Sequence, residues 1–210
     1  MMLTGVKNII FDFGGVIINI DPQKTIQALK SLKLYQPEKI FSNPNSSSML
    51  NKLEIGAISD NEFIMYIRQF CSPNTSSLDI IRAWNAMLLD IPQHRIKMLQ
   101  LLKKDYKIFL LSNTNHIHYL SYVVDFEKAT HGIKFNEFFD KAYFSFEIKM
   151  RKPSIEIYKH VLNDQNLIPE ETLFIDDSLE NIETAKMLNL KTHWLKEEFI
   201  DSLPITSLHQ

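Results

Sequence analysis

The stretch that most constrains this chain is Lys7-Asn8-Ile9-Ile10-Phe11-Asp12-Phe13-Gly14-Gly15-Val16. A short apolar run rich in isoleucine ends abruptly in an aspartate, and a glycine pair follows one residue later. A continuous apolar run of this length, bounded by glycine, suits a strand buried on both faces. Asp12 then stands at the carboxyl end of that strand, where open parallel sheets place their sites. Gly14 and Gly15 leave the neighbouring peptide N–H groups uncovered, so an anion can approach the backbone closely. Alone, Asp12 reads more readily as a turn cap. Later segments of matching chemistry turn the reading toward function.

Beyond residue 107 strands and helices alternate, the signature of a parallel sheet. Strands are predicted at 107–111, Lys141–Phe144, 172–175 and Lys191–Trp194, with helices over 155–162 and 182–188. Before that point the pattern is helical. Asp21-Pro22 reads as an N-cap and first helical residue, followed by Ile26, Leu29, Leu32 and Leu34 at roughly helical spacing. Ser59 and Glu62 form a capping box ahead of Phe63, Ile64 and Ile67. Leu78, Ile81, Trp84, Met87 and Leu88 make a further apolar stripe, and another helix is predicted over 92–104. The expected architecture is α/β: a Rossmann-like parallel-sheet core, residues 1–19 and 90–210, with an inserted small α-helical bundle cap, residues 20–89. Asp21-Pro22 and Asp90-Ile91-Pro92 would be hinges that let the insertion move as a lid.

At 210 residues the chain can bury a sizeable core, and its 45% hydrophobic and 23% charged content is ordinary for a globular protein. A net charge of −2 favours neither nucleic acid nor an anionic membrane as partner. Apolar runs are too short to span a bilayer, and residues 1–6 lack the basic and long apolar regions of a signal peptide. The single cysteine, Cys71, has no intramolecular partner, which fits a reducing, cytoplasmic setting, and reads as a packed small residue. The polar segment 42–48 reads as a loop, and 201–210 carries no motif.

Four segments fall at or just after the predicted strand ends: Asp12 to Val16, Ser112-Asn113-Thr114, Arg151-Lys152-Pro153 and Asp176-Asp177-Ser178. Together they hold three carboxylates, a hydroxyl, a lysine and several free N–H groups. Carboxylates crowded in one cleft repel unless a cation joins them. Magnesium fits, because it takes carboxylate oxygens, substrate phosphate and water. The lysine, hydroxyl and backbone donors suit phosphate oxygens. Asp12 then makes sense as a nucleophile that forms an aspartyl-phosphate.

In all four motifs, and across nearly the full chain, the sequence resembles the haloacid dehalogenase (HAD) superfamily, in the subfamily with a helical cap after the first motif. Leu111 to Asn115, Met150 to Pro153, Phe174 to Glu183 and the cap stretch Gly56 to Phe63 are similar to bacterial sugar-phosphate phosphatases of the α-D-glucose-1-phosphate phosphatase type. The resemblance implies that Asp12 is nucleophile and metal ligand and that Gly14 ligates the metal through its carbonyl. Asp177 would be the direct metal ligand of the fourth motif, with Asp176 a neighbouring ligand or supporting acid. Ser112 and the Asn113 N–H would hold the phosphate, alongside Phe13, Gly14 and Gly15. Lys152 would neutralise both the phosphate and Asp12. Asn181 falls where many members carry another acid.

One position departs from most phosphatases of the superfamily. They carry a second aspartate two residues after the nucleophile, as general acid and base, and here that position is Gly14. Such help is worth roughly 10²–10⁴-fold. The sugar-phosphate phosphatases it resembles carry glycine there too, and an anomeric phosphate is a comparatively good leaving group. Asp21, His116 and His118 are candidate replacements, while Phe13, Trp84 and residues 53–58 are candidates for the cap-side lining. The expected function is a magnesium-dependent phosphatase for a small phosphorylated metabolite, a sugar phosphate fitting best, in a monomer or homodimer. The alternatives are a metal-independent 2-haloacid dehalogenase and a weakened protein that only binds a phosphorylated ligand.

Overall fold

A computed structural model describes residues 3–38 and 48–196. Residues 42–47 of the expected polar loop, and the segment 201–210, lie outside the described residues. After β1 (Asn8–Phe11) come α1 (Pro22–Ser31), α2 (Met49–Glu54), α3 (Asp60–Arg68), α4 (Ser77–Asn85) and α5 (Gln93–Leu102). Then follow β2 (Lys107–Ser112), α6 (His116–Ala129), α7 (Phe135–Phe138), β3 (Lys141–Phe144), α8 (Ser145–Ile148) and α9 (Ile155–Asp164). The fold ends with β4 (Thr172–Asp176), α10 (Leu179–Lys186) and β5 (Lys191–Trp194).

The strands form one parallel five-stranded sheet in the order β3-β2-β1-β4-β5. β1 is central, and its side chains alternate between faces. Ile9 and Phe11 enter a core covered by α5, α6 and α7, whereas Ile10 enters one covered by α9 and α10. Burial on both sides explains why the run is apolar without alternation. The sheet grows from β1 to β2 and β3 on one side and to β4 and β5 on the other. The carboxyl end of β1 is therefore the switch point of the topology, where a crevice opens. The last pair in the β1–β4 register is Phe11 with Ile175, so Asp12 and Asp176 follow it at neighbouring strand ends. The Asp12 N–H donates to the Ile175 carbonyl at 2.9 Å.

Helices α1 to α4 have a core of their own, including Leu29, Leu53, Phe63, Ile80 and Trp84. Asp21 caps α1 by accepting the Gln23 N–H, with Pro22 as the first helical residue, and Ser59 and Glu62 close the capping box on α3. The α4 stripe differs in phase from the predicted one. Ile80, Ala83 and Trp84 face inward, Leu78 is 52% exposed, and Met87 and Leu88 lie beyond the helix end at Asn85. A second capping box, Ser76 with Asp79, starts the helix at Ser77 and sets that phase. Trp84 is core rather than lining. It packs on Phe63 (ring centroids 4.7 Å apart) and stacks on His118 (5.3 Å).

The two predicted hinges touch each other. Asn19 N–H donates to the Asp90 carbonyl and Leu89 N–H to the Asn19 carbonyl, both at 2.9 Å, and Asp21 N–H donates to Met87 O. The insertion thus enters and leaves through a paired ribbon. It is also joined to the sheet layer through α6, whose Ile117 completes the insertion's own apolar cluster. These contacts tie the insertion to the sheet layer at more than the two expected hinges. Truncating Ile117 to alanine should cost about 2–4 kcal/mol. The insertion and the sheet layer should still unfold together, so tryptophan fluorescence and far-UV circular dichroism should give coincident denaturant transitions.

Candidate active site

The strand ends converge on one buried ammonium group. Lys152 Nζ donates to Asp12 Oδ1 and to Asp176 Oδ2, each at 2.7 Å. Burial alone would push the lysine pKa down, but the flanking Asp12 and Asp176 charges hold it above its ordinary value. Lys152 reaches this position from the loop before α9, and the Asn113 side chain positions that loop. Asn113 Oδ1 accepts the Lys152 N–H and Asn113 Nδ2 donates to the Lys152 carbonyl, both at 2.8 Å. The sequence had pointed to the Asn113 backbone as a phosphate donor; its side chain has this second role. The partner is distant in sequence, so no local spacing announces it.

Asp176 is saturated. Its Oδ1 accepts the Ser178 N–H at 2.8 Å, and Asn181 Nδ2 donates to both of its oxygens at 2.9 and 3.0 Å. Asp176 therefore anchors Lys152 and the start of α10. The position that would hold a further acid supplies a neutral donor instead. Asp177 points differently. A Cβ built on Gly15 would lie 2.2 Å from Asp177 Oδ2, and Gly15 has a φ of +72°. Glycine at 15 is what allows this carboxylate to sit against the loop that follows β1.

The carboxylates of Asp12, Asp176 and Asp177 bring one oxygen each within 4.8 Å of one another. Burial, with Asp176 and Asp177 adding to it against the opposing pull of Lys152, raises the Asp12 pKa to about 7. Burial, and then the Asp176 charge, raise that of Asp177. A hard divalent cation relieves both effects, and this oxygen donor set suits magnesium. The Ser112 hydroxyl, at the end of β2, makes no hydrogen bond among the described residues. It remains available to an incoming oxyanion.

The Phe13 ring belongs to the core rather than to the lining, and the residue's carbonyl accepts the Ile17 and Ile18 N–H groups. Its ring is 2% exposed and packs on Tyr122 and Phe135, with centroids 4.6 and 5.5 Å away. The candidate replacement acids are all engaged elsewhere. Asp21 caps α1, and His116 Nδ1 pairs with Asp60 at 2.7 Å. His118 lies flat on Trp84 with Nδ1 2.8 Å from Asn85 Oδ1, and burial holds its pKa down at about 3. A Cβ on Gly14 would meet Ile20 Cδ1 at 3.3 Å, so an apolar side chain occupies the space beside that position. Cys71 is a half-buried thiol bonded to the Ile67 carbonyl, as its packed-residue reading expects.

The description that matches residues 9–195 is haloacid dehalogenase-like hydrolase, and the chain belongs to that family. A D-ribitol-5-phosphate phosphatase from Bacteroides thetaiotaomicron is 33% identical over 89% of this chain and 90% of its own. A solved HAD family enzyme from the same organism, in complex with magnesium and inorganic phosphate, superposes with a TM-score of 0.86. It is 35% identical and covers 93% of this chain and 98% of its own. A HAD-like family hydrolase from Porphyromonas gingivalis gives a TM-score of 0.86 at 29% identity, covering 99% of this chain and 100% of its own.

Two outcomes test this geometry. For Asp12, the folded state retains a proton that the unfolded chain releases above its ordinary value of 3.8. Its contribution to stability therefore declines as pH rises from there to about 7. Without metal, Asp12→Asn should raise the melting temperature at pH 8, and magnesium should stabilise the unaltered protein but not the variant. Gly15→Ala should weaken magnesium binding tenfold or more by calorimetry, because its Cβ would displace Asp177.

Proposed function

We propose that the protein is a magnesium-dependent phosphatase that hydrolyses a small phosphorylated metabolite, a sugar or polyol phosphate, through an aspartyl-phosphate on Asp12. The observation that carries this reading is the Lys152 ammonium locked between Asp12 and Asp176 with Asp177 beside them. Lys152 holds Asp12 Oδ1, which leaves Oδ2 without a hydrogen bond among the described residues and able to act as nucleophile. The bond from Oδ2 to phosphorus forms as the bond to the leaving oxygen breaks. The Ser112 hydroxyl and the Asn113 N–H donate to the phosphoryl oxygens; the Gly15 N–H, expected from the sequence to be uncovered, instead donates to the Ile18 carbonyl at 2.9 Å. Water then attacks the acyl phosphate, releasing phosphate and restoring Asp12. Asp12, Asp177 and the Gly14 carbonyl, supported by Asp176, would hold a magnesium ion, which when bound would supply positive charge to the phosphoryl group and the carboxylates.

No carboxylate stands at position 14, so the departing oxygen takes its proton from solvent. The sheet layer, residues 1–19 and 90–210, carries the chemistry, and the helical insertion, 20–89, acts as the cap that selects the leaving group. Among the described residues no helix is long and apolar enough to cross a membrane. We read the enzyme as cytoplasmic, a monomer or homodimer, without nucleic-acid or membrane partners.

Phosphate release from a panel of sugar and polyol phosphates and p-nitrophenyl phosphate tests the reading. Turnover should require magnesium, disappear with chelator, and fall at least 10³-fold in Asp12→Asn, in line with the loss of a nucleophile. Chloride release from 2-chloropropionate without metal would instead establish the dehalogenase reading.

A further inference from the structure

Of the three clustered carboxylates, two are held by side chains and one is not. Lys152 bonds to Asp12 and Asp176, and Asn181 bonds to Asp176. Among the described residues no side chain bonds to the Asp177 carboxylate, and Asp177 is the exposed member of the trio. It lies one residue past the end of β4, where the ladder no longer dictates its backbone. The direction of its carboxylate therefore depends on what holds the peptide units on either side of it.

Both units are held, and the end of β5 supplies a bond to each. The Asp176 carbonyl accepts the Leu195 N–H at 3.0 Å. The Asp177 carbonyl accepts the indole Nε1–H of Trp194, also at 3.0 Å. The N–H of that same peptide, on Ser178, donates to Asp176 Oδ1 at 2.8 Å. The backbone dihedrals at Asp177 are thereby set, and only its short side chain is left to turn. Trp194 is exposed for such a part. β5 is an edge strand, Trp194 pairs in register with Asp176, and the residue is 36% exposed. An indole has one donor and no acceptor, and this one is given to the Asp177 carbonyl rather than to water. The Lys196 ammonium lies over the ring, 4.0 Å from its centroid, and their attraction restrains the indole in this orientation.

We infer that Trp194 is a positioning residue for the metal site: its indole N–H, acting through the Asp177 carbonyl, fixes the Asp177 carboxylate beside Asp12 and Asp176, ready for magnesium. The inference rests on the magnesium-dependent reading above. Its effect is graded. The Ser178 and Leu195 bonds remain when the indole N–H is removed, so metal affinity falls by the worth of one hydrogen bond rather than vanishing.

The test measures magnesium binding by calorimetry, without substrate, in the unaltered protein and in Trp194→Phe, which keeps an aromatic ring and removes the N–H. The dissociation constant should rise roughly three- to tenfold. The metal-free melting temperature should fall by only about 2–4 °C. An unchanged magnesium affinity would overturn the inference, whatever the melting temperature does, and leave the indole a strut of the edge strand. The unaltered protein gives a second measurement that no folding defect can blur. Coupling is reciprocal, so bound metal should strengthen the indole bond by the factor through which that bond strengthens metal binding. Hydrogen exchange at the Trp194 indole should therefore slow roughly three- to tenfold at saturating magnesium. That of Trp84, the other tryptophan, buried in the insertion, should not change. Equal exchange at Trp194 with and without magnesium would overturn the inference as well. If the unaltered protein binds no magnesium, the metal-dependent reading fails, and this inference with it.

Discussion

A single buried ammonium group organises this molecule. Lys152 sits between carboxylates from two neighbouring strand ends, and neither acid could be buried there without it. Its position depends on the Asn113 clamp, which ties the loop carrying Lys152 to the end of β2. Three strand ends and one loop are thereby fixed relative to each other before any ligand arrives. The three carboxylates and one ammonium leave two negative charges, the amount that one divalent cation cancels. The neutral Asn181 on Asp176, where an acid would have been the familiar choice, keeps that balance.

What could be read in the sequence was what local chemistry determines. The β1 run, the Asp21-Pro22 cap, the Ser59–Glu62 box and the parallel strands each carry their signal within a few residues. The paired acids at 176 and 177 could be read because a strand end is where they matter. Features that rest on long-range partners were hidden. The Asn113 clamp joins segments 39 residues apart, and an ion pair of Glu54 with Arg151 joins the insertion to a loop far along the chain. Helix α6 escaped notice for another reason. Ile117 and His118 face the insertion, Tyr122 and Phe126 face the sheet, and Leu120 and Val124 remain exposed, so no single apolar stripe emerges.

His118 shows how residue type alone misleads. An imidazole one helical turn from a strand-end motif invites a catalytic reading. Here it is a flat neutral plate, stacked on an indole and bonded to an amide. Its contribution is to join α6 to α4, and with Ile117 it makes the insertion and the sheet layer share one apolar surface.

The ribbon formed by Asn19, Leu89 and Asp90 has a consequence for how such a chain can vary. The backbone leaves the layer and returns to it at one point, so the intervening residues form a closed excursion. Lengthening, shortening or exchanging that excursion changes the entropy of closing a loop whose ends already meet, a cost that grows only slowly with length. The order and register of the parallel strands thus place little demand on the length of that excursion.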